Sequence, residues 1–179
     1  MKKILLFLVL VLMMSSCSKS QDMNWTSLVY EYSSGPLPPP YHHEYSIAIN
    51  NDGSANMSYR LGYDANRPPL NYSFKIDDEA KMTLNEKLKD SRLLEGKIQA
   101  VPENQHPVGG SLSRVKVYIV DPDPNLDKPP VLFEAPYFPL KEYAKGLGDL
   151  YGYINSLIPP DVKADIEKQK AEFEQNEKK

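Results

Sequence analysis

A tight turn at residues 50–53, set between two stretches of alternating side chains, constrains the fold more than any other feature of the chain. Asn50, Asn51, Asp52 and Gly53 tolerate the left-handed backbone that a short hairpin needs. Polar and apolar residues alternate from 41 to 49 before the turn and from 55 to 61 after it. Because successive side chains of a strand point to opposite faces, these stretches predict an antiparallel hairpin with one apolar and one polar face.

The same period of two predicts four further strands. They begin at Thr26, Leu70, Leu112 and Val131 and end near residues 33, 76, 120 and 135. Two stretches change to a helical period instead. The acidic residues at 77–79 favour a helix start, and an apolar stripe then runs to about Ser91. Apolar residues at three- and four-residue steps predict a second helix over 140–157, which Pro159 and Pro160 end.

The resulting order, ββββαββα, predicts an α+β fold. We expect an antiparallel sheet of about six strands with two helices packed on one face, within a single domain over residues 26–158. Four of the twelve tyrosines fall on apolar strand faces and are predicted to belong to the core or its rim: Tyr30, Tyr45, Tyr59 and Tyr72. Residues 159–179 are predicted to form a charged, solvated helical tail with frayed ends.

The first sixteen residues have the pattern of a signal peptide. Lys2 and Lys3 precede eleven apolar residues, and small residues follow before Cys17. The apolar run is shorter than the roughly 20 residues that a membrane-spanning helix needs. The segment from Met14 to Cys17 resembles the lipobox of bacterial lipoprotein precursors, with Met14 where leucine is usual.

This resemblance implies a lipid anchor. Residues 1–16 would be removed and Cys17 would carry a diacylglycerol thioether and an acylated amino group, with residues 17–25 as a short tether. Two or three acyl chains hold a protein stably on a membrane, whereas one does so only marginally. Lipoproteins that stay in the inner membrane tend to carry Asp directly after the lipidated Cys. This chain has Ser18 there, which favours the outer membrane of the cell envelope. We expect the protein to lie on the periplasmic face of that membrane.

Charge and cysteine content exclude several classes of protein. Lys and Arg number 21 against 24 Asp and Glu, so no basic surface for nucleic acid is expected. The single Cys17 excludes an internal disulfide and any site built from several cysteines. With that thiol lipidated and no Ser in a nucleophile-elbow pattern, the sequence predicts no catalytic residues.

Two stretches offer oxygen or nitrogen ligands, but neither predicts a metal site. His42 and Glu44 share a strand face, which His43 does not, so His106 would have to join them. A solvent-facing strand surface is the favoured interpretation. Oxygen side chains also occupy every second position of one loop, as in calcium loops: Asp121, Asp123, Asn125 and Asp127.

The calcium interpretation is weaker than a plain turn-rich connector. Leu126 stands where the calcium loop needs Gly, and Leu132 stands where it needs a bidentate Glu. We therefore predict no metal and no cofactor. The glycines between 146 and 152 mimic a dinucleotide-binding pattern but lie inside the second predicted helix. Gly148 and Gly152 are instead expected to let that helix approach the sheet closely.

Three tyrosines outside the predicted strands could bind a partner. Tyr41, Tyr63 and Tyr137 accompany proline-rich loops, and tyrosine combines a large apolar area with a polar tip. We expect them to form an exposed patch for a protein of the cell envelope.

The layout of about 120 residues resembles that of emfourin-type inhibitors of bacterial metalloproteases. The resemblance rests on the strand over 29–35, the helix ending at Leu94, the strand over 114–121 and the closing helix over 143–154. Several uncharacterised small lipoprotein families share this layout. The glycine pair expected after the first strand is Gly35-Pro36 here, so inhibitory residues are not carried over.

Three functions follow from these patterns. A lipid-anchored, non-catalytic binding or interaction module of the cell envelope is the favoured hypothesis. The alternatives are an emfourin-like inhibitor of an envelope metalloprotease and an envelope hydrolase.

Overall fold

A computed structural model describes residues 25–120 and 129–177. In this part of the chain, six strands and three helices make an α+β fold, as the sequence predicted. The strands are β1 (Trp25–Ser33), β2 (His43–Asn50), β3 (Ser54–Leu61), β4 (Leu70–Lys75), β5 (Leu112–Ile119) and β6 (Val131–Glu134). The helices are α1 (Asp78–Asp90), α2 (Lys141–Ser156) and α3 (Pro160–Glu177).

The strands form one antiparallel sheet in the order β4-β3-β2-β1-β5-β6. The first four strands follow one another as a meander, and β5 returns to the free side of β1. The predicted hairpin joins β2 and β3 with Ile49 opposite Ala55. Gly53 supplies the left-handed residue of its turn, with φ at 82°. A Cβ there would lie 2.7 Å from the Ile76 carbonyl oxygen, so the turn also needs glycine for space.

One face of the sheet is covered by the three helices and carries the core. Trp25 is fully buried at the start of β1, and its indole Nε1 donates a hydrogen bond to Asn85 of α1 at 2.7 Å. Leu84 and Leu88 of α1 and Leu147, Leu150 and Ile154 of α2 are buried under the sheet. The core therefore lies between the sheet and a single layer of helices.

Tyrosines supply much of this buried surface, as predicted from their strand positions. Tyr30 and Tyr59 are almost fully buried, and Tyr45 packs between them on β2. The rings of Tyr45 and Tyr59 stack at 5.7 Å, and those of Tyr32 and Tyr45 at 4.9 Å. The Tyr45 hydroxyl donates to Asn155 of α2 at 2.7 Å. Burial raises the pKa of Tyr45 far above its ordinary value, so this hydroxyl stays protonated.

The C-terminal segment is a charged helix, as predicted, but it is solvated on one side only. Val162, Ile166 and Phe173 of α3 are buried against the sheet. Their spacing of four and seven residues places them on one side of the helix, which is enough to anchor it. The Tyr72 hydroxyl also donates to Asp165 at 2.8 Å, which fastens α3 to β4.

The close approach of α2 depends on a different glycine from the two that were expected. Gly148 and Gly152 have no atom within 4 Å of a Cβ built on them, so that prediction was wrong. A Cβ on Gly146 would lie 2.9 Å from the Asp90 carbonyl oxygen. Because Gly146 has no side chain, α2 can cross close to the end of α1. The two helices thus pack on each other as well as on the sheet.

Candidate binding face

The second face of the sheet has no helix over it in the described part of the chain, and its side chains form two rows across four strands. Cross-strand register brings Arg114 of β5, Glu31 of β1, Ser46 of β2 and Ser58 of β3 into one row. The neighbouring row runs across the same strands through Leu112, Ser33, Glu44 and Arg60. We call this surface the open face.

A shallow cavity of about 430 Å³ lies over these two rows. Ser46 and Ser58 contribute short side chains to its lining, and Tyr137, from the segment after β6, adds an aromatic one. Within the described residues, no hydrogen bond joins the hydroxyls of Ser46, Ser58 and Tyr137 to another protein group. All three residues are partly or well exposed, so these hydroxyls can be reached from solvent.

An ion-pair network fixes the side of the cavity next to β5. Arg114 hydrogen-bonds to Glu31 through Nε and to Glu134 through a terminal nitrogen at 2.7 Å. Lys116 Nζ donates to Glu31 at 2.8 Å. The guanidinium of Arg114 also lies 4.7 Å from the centre of the Tyr137 ring, a cation–π contact that holds the ring over the sheet.

The network changes the pKa of its central carboxylate. Partial burial by itself raises the pKa of Glu31, but the hydrogen bonds from Lys116 and Arg114 outweigh it and hold the pKa below its ordinary value. Glu31 is therefore ionised at neutral pH. Glu31 belongs to a set of three acidic and three basic side chains around the cavity: Glu31, Glu44, Glu134, Arg60, Arg114 and Lys116.

The expectation that His42 faces solvent was wrong, because only 4% of its surface is exposed. Its Nδ1 lies 2.8 Å from the Gly35 carbonyl oxygen and its Nε2 lies 3.3 Å from Glu44 Oε1. The Tyr63 ring stacks on the imidazole at 3.8 Å. A neutral imidazole has one N–H to donate, so only the doubly protonated ring donates to both oxygens.

Ser34 lies beside His42, but the three groups do not have the geometry of a Ser–His–acid triad. A triad places the serine and the acid on opposite ring nitrogens, with the serine open to substrate. Here Ser34 Oγ is 3.4 Å from Nδ1, the nitrogen already 2.8 Å from a carbonyl oxygen. Ser34 is buried and accepts a hydrogen bond from the His43 amide at 3.0 Å. The cluster fastens the β1–β2 connection.

Gly35, just after β1, packs closely on Gly110, just before β5. Gly35 has a φ of 79°, and a Cβ on it would lie 2.0 Å from the Gly110 carbonyl oxygen. The chain before β5 therefore packs directly on the backbone that follows β1. Only glycine fits this position, because it tolerates the positive φ and has no Cβ to clash with Gly110.

The other predicted ligands do not assemble with His42. His106 lies 2.8 Å from the Val101 carbonyl oxygen through Nε2 and packs on the Phe138 ring at 4.5 Å. Across residues 25–120 and 129–177, no three His, Cys, Asp or Glu side chains are grouped so that they could hold a metal ion. Cys17 and the loop residues Asp121, Asp123, Asn125 and Asp127 lie outside the described residues.

The three predicted partner-binding tyrosines occupy two different settings. Tyr41, Tyr63 and Tyr137 are 45%, 54% and 40% exposed. Tyr63 donates its hydroxyl to the Leu37 carbonyl at 2.8 Å, and the Tyr41 amide donates to the Pro38 carbonyl at 2.9 Å, so both flank the proline-rich loop. Of the three, Tyr137 is the one that lines the cavity.

Sequence reasoning missed most of the cavity residues. Ser46, Ser58, Glu31 and Arg60 were not singled out, although each lies on the polar side of an alternating strand. The available signal was the small size of the two serines at positions that strand alternation places on the solvent side. Short side chains there leave room above the sheet.

Comparisons with known proteins give no relative from which a function could be transferred. No protein-family model matches the chain, and no curated protein matches it. None of the helices in the described ranges is both long and apolar enough to cross a membrane. The geometry of the open face is therefore the main basis for a functional proposal.

Proposed function

We propose that this chain is a non-catalytic binding module of the bacterial cell envelope, attached to the membrane through a lipidated Cys17. The observation that carries the proposal is the cavity on the open face, with the unpartnered hydroxyls of Ser46, Ser58 and Tyr137. These hydroxyls are exposed in part, so a ligand can replace the water that solvates them. Free hydroxyls grouped in one concave site are typical of a surface that binds another molecule.

The arrangement of the charged groups favours binding over catalysis. Glu31, Arg114 and Lys116 are engaged with one another, and the imidazole of His42 is buried under Tyr63. A general base has to reach a proton of the substrate, which these contacts do not favour. An envelope hydrolase and a metalloprotease inhibitor remain the alternative predictions. No contact among the described residues of the open face favours either of them.

The anchor itself is tested by Cys17→Ala. We propose the outer membrane, on its periplasmic face, as the location of the lipidated chain. The variant should accumulate as unprocessed precursor or move to the soluble fraction, measured by fractionation and intact mass. Unchanged membrane fractionation and unchanged mass would contradict the lipid anchor.

Occupation of the open face is tested by thiol labelling in isolated cell envelopes. Ser58→Cys places a thiol in the cavity with little change in size, and Lys168→Cys places one on the exposed side of α3. The parent chain measures any background from Cys17. Each labelling rate with a maleimide is compared between envelopes and the purified full chain.

We expect Ser58→Cys to label several-fold more slowly in envelopes than after purification, while Lys168→Cys labels equally fast in both. Equal rates for Ser58→Cys in the two settings would overturn the proposal that the open face binds a component of the envelope.

A further inference from the structure

We infer that the cavity of the open face binds a neutral, polyhydroxylated ligand, namely a saccharide of one or two sugar units. This inference rests on the proposed function and specifies the class of ligand.

The charges around the cavity favour a ligand without net charge. Three acidic and three basic side chains surround it, and both cations beside Glu31 are already bound to that carboxylate. A charged ligand would have to compete with these ion pairs or remain only partly compensated. A neutral ligand leaves the network intact.

The free groups of the cavity match a compound with many hydroxyls. The hydroxyls of Ser46, Ser58 and Tyr137 each donate one hydrogen bond and accept others. Arg60 adds donors, since its contacts to the Ala65 and Arg67 carbonyls are long, at 3.5 Å each. Glu44 is half exposed and adds an acceptor. Sugar hydroxyls likewise both donate and accept, so each group finds a partner.

Tyr137 supplies the apolar part of such a site. A sugar ring carries C–H groups on its faces, and these pack on the negative face of an aromatic ring. The contact with Arg114 holds the Tyr137 ring in place, so little side-chain entropy is lost on binding. The volume of about 430 Å³ lies in the range of small-ligand sites.

An extended peptide fits this surface less well. Peptides that add to a sheet use the unpaired backbone groups of an edge strand. The cavity lies over β3, β2, β1 and β5, whose backbone groups pair with neighbouring strands on both sides. Only side chains are available to a ligand there.

The test uses the full chain, purified from membranes in a detergent without sugar groups. Cellobiose, maltose and N,N′-diacetylchitobiose are the neutral probes, and tetralysine and tetraglutamate are the charged ones. Binding is measured by titration calorimetry and by saturation-transfer NMR. Tyr137→Ala and Ser46→Val remove the aromatic wall and one hydroxyl, and Tyr118→Ala is the matched control on β5, outside the cavity lining.

We expect at least one disaccharide to bind with a Kd below about 10 mM, and Tyr137→Ala to weaken it by about tenfold or more. Ser46→Val should also weaken it, while Tyr118→Ala should leave it unchanged. Thermal unfolding of each variant checks that the fold is retained. Absence of binding by all three disaccharides, tighter binding of a charged peptide, or binding that Tyr137→Ala leaves intact would overturn the inference.

The two proposals fail in different ways. If Ser58→Cys is protected in envelopes but no disaccharide binds, the ligand class is wrong and the binding module stands. If a disaccharide binds through Tyr137 but Ser58→Cys is unprotected in envelopes, the saccharide site stands and the proposed function falls.

Discussion

The two faces of the sheet are built from the same strands but differ in what covers them. On the covered face, Tyr45 and Asn155 satisfy each other at 2.7 Å beneath α2, although the buried Tyr151 hydroxyl has no partner within the described residues. On the open face, Ser46 follows Tyr45 directly in the chain, and its hydroxyl has no partner in the described residues. Strand alternation alone separates the two side chains. One face therefore carries the packing that stabilises the fold, and the other, which no helix covers in the described residues, is the face that we propose binds a ligand.

Removing a ring from the covered face should have the largest effect. Tyr30→Ala deletes a buried ring that contacts both Tyr45 and Tyr151. We expect a loss of about 3 to 5 kcal/mol of unfolding free energy, as for other buried aromatic residues. Urea unfolding followed by the fluorescence of Trp25, the only tryptophan, measures it.

Tyr118→Ala is the matched change on the open face. Because Tyr118 is only partly buried, we expect a loss of about 1 kcal/mol or less. Equal losses from the two substitutions would contradict the division of roles between the faces.

A substitution at the contact between Gly35 and Gly110 should reduce the free energy of unfolding by nearly as much. Gly35→Ala adds a Cβ that clashes with the Gly110 backbone, at a residue whose own φ is left-handed. We expect it to lower the free energy of unfolding by about 3 kcal/mol. Gly109→Ala has a similar φ of 84° and no neighbouring atom within 4 Å, so its loss should be about 1 to 2 kcal/mol. Circular dichroism during urea unfolding gives both values. Identical losses would show that the contact with Gly110 does not matter.

The ion-pair network of the open face should give a smaller effect that depends on pH. Since its pKa is lowered on folding, Glu31 contributes stability above the ordinary carboxyl pKa of about 4.3. That stability is lost as the pH falls through the lower value of the folded state. We expect Glu31→Gln to cost about 1 to 2 kcal/mol at pH 7 and much less near pH 3.

Urea unfolding at the two pH values measures this difference. Glu172→Gln, on the exposed side of α3, is the control and should cost less than about 0.5 kcal/mol at pH 7. A cost of Glu31→Gln that does not change with pH would contradict the role assigned to the network.

The smallest effects concern α2 on the covered face and should have opposite signs. Gly146→Ala is expected to destabilise by about 1 kcal/mol, because its Cβ meets the Asp90 carbonyl oxygen. Gly148→Ala should stabilise by up to about 1 kcal/mol, since alanine favours the helix and the site is open. Thermal unfolding distinguishes the two, and a stabilising Gly146→Ala would contradict the close helix crossing.

Local patterns predicted the elements of the fold because each pattern is complete within a few residues. The turn ending at Gly53 and the alternation around it specify the β2–β3 hairpin without reference to the rest of the chain. The packing of α3 was missed because its three apolar residues are sparse in a charged sequence. Their burial depends on the apolar surface that Tyr59 and Leu61 provide far away in the chain.

The candidate site was harder to predict, because it exists only once the strands are in register. Ser46 and Ser58 become neighbours through the hairpin, which the sequence does indicate. Glu31 and Arg114 become neighbours only because β5 returns to pair with β1, and no local pattern specifies that pairing. Tyr137 was singled out because it accompanies a proline-rich loop, but its place over Arg114 depends on the same pairing.

The central position of β1 would have a mechanical consequence if Cys17 carries the proposed lipid anchor. A pull from the membrane would then reach the described fold at Trp25, the first residue of β1. This strand is hydrogen-bonded along its length to β2 on one side and β5 on the other. A force along β1 would have to shear both ladders at once, whereas an edge strand such as β4 or β6 can be peeled from one neighbour. The proposed tether would therefore apply force to a strand that is paired on both sides.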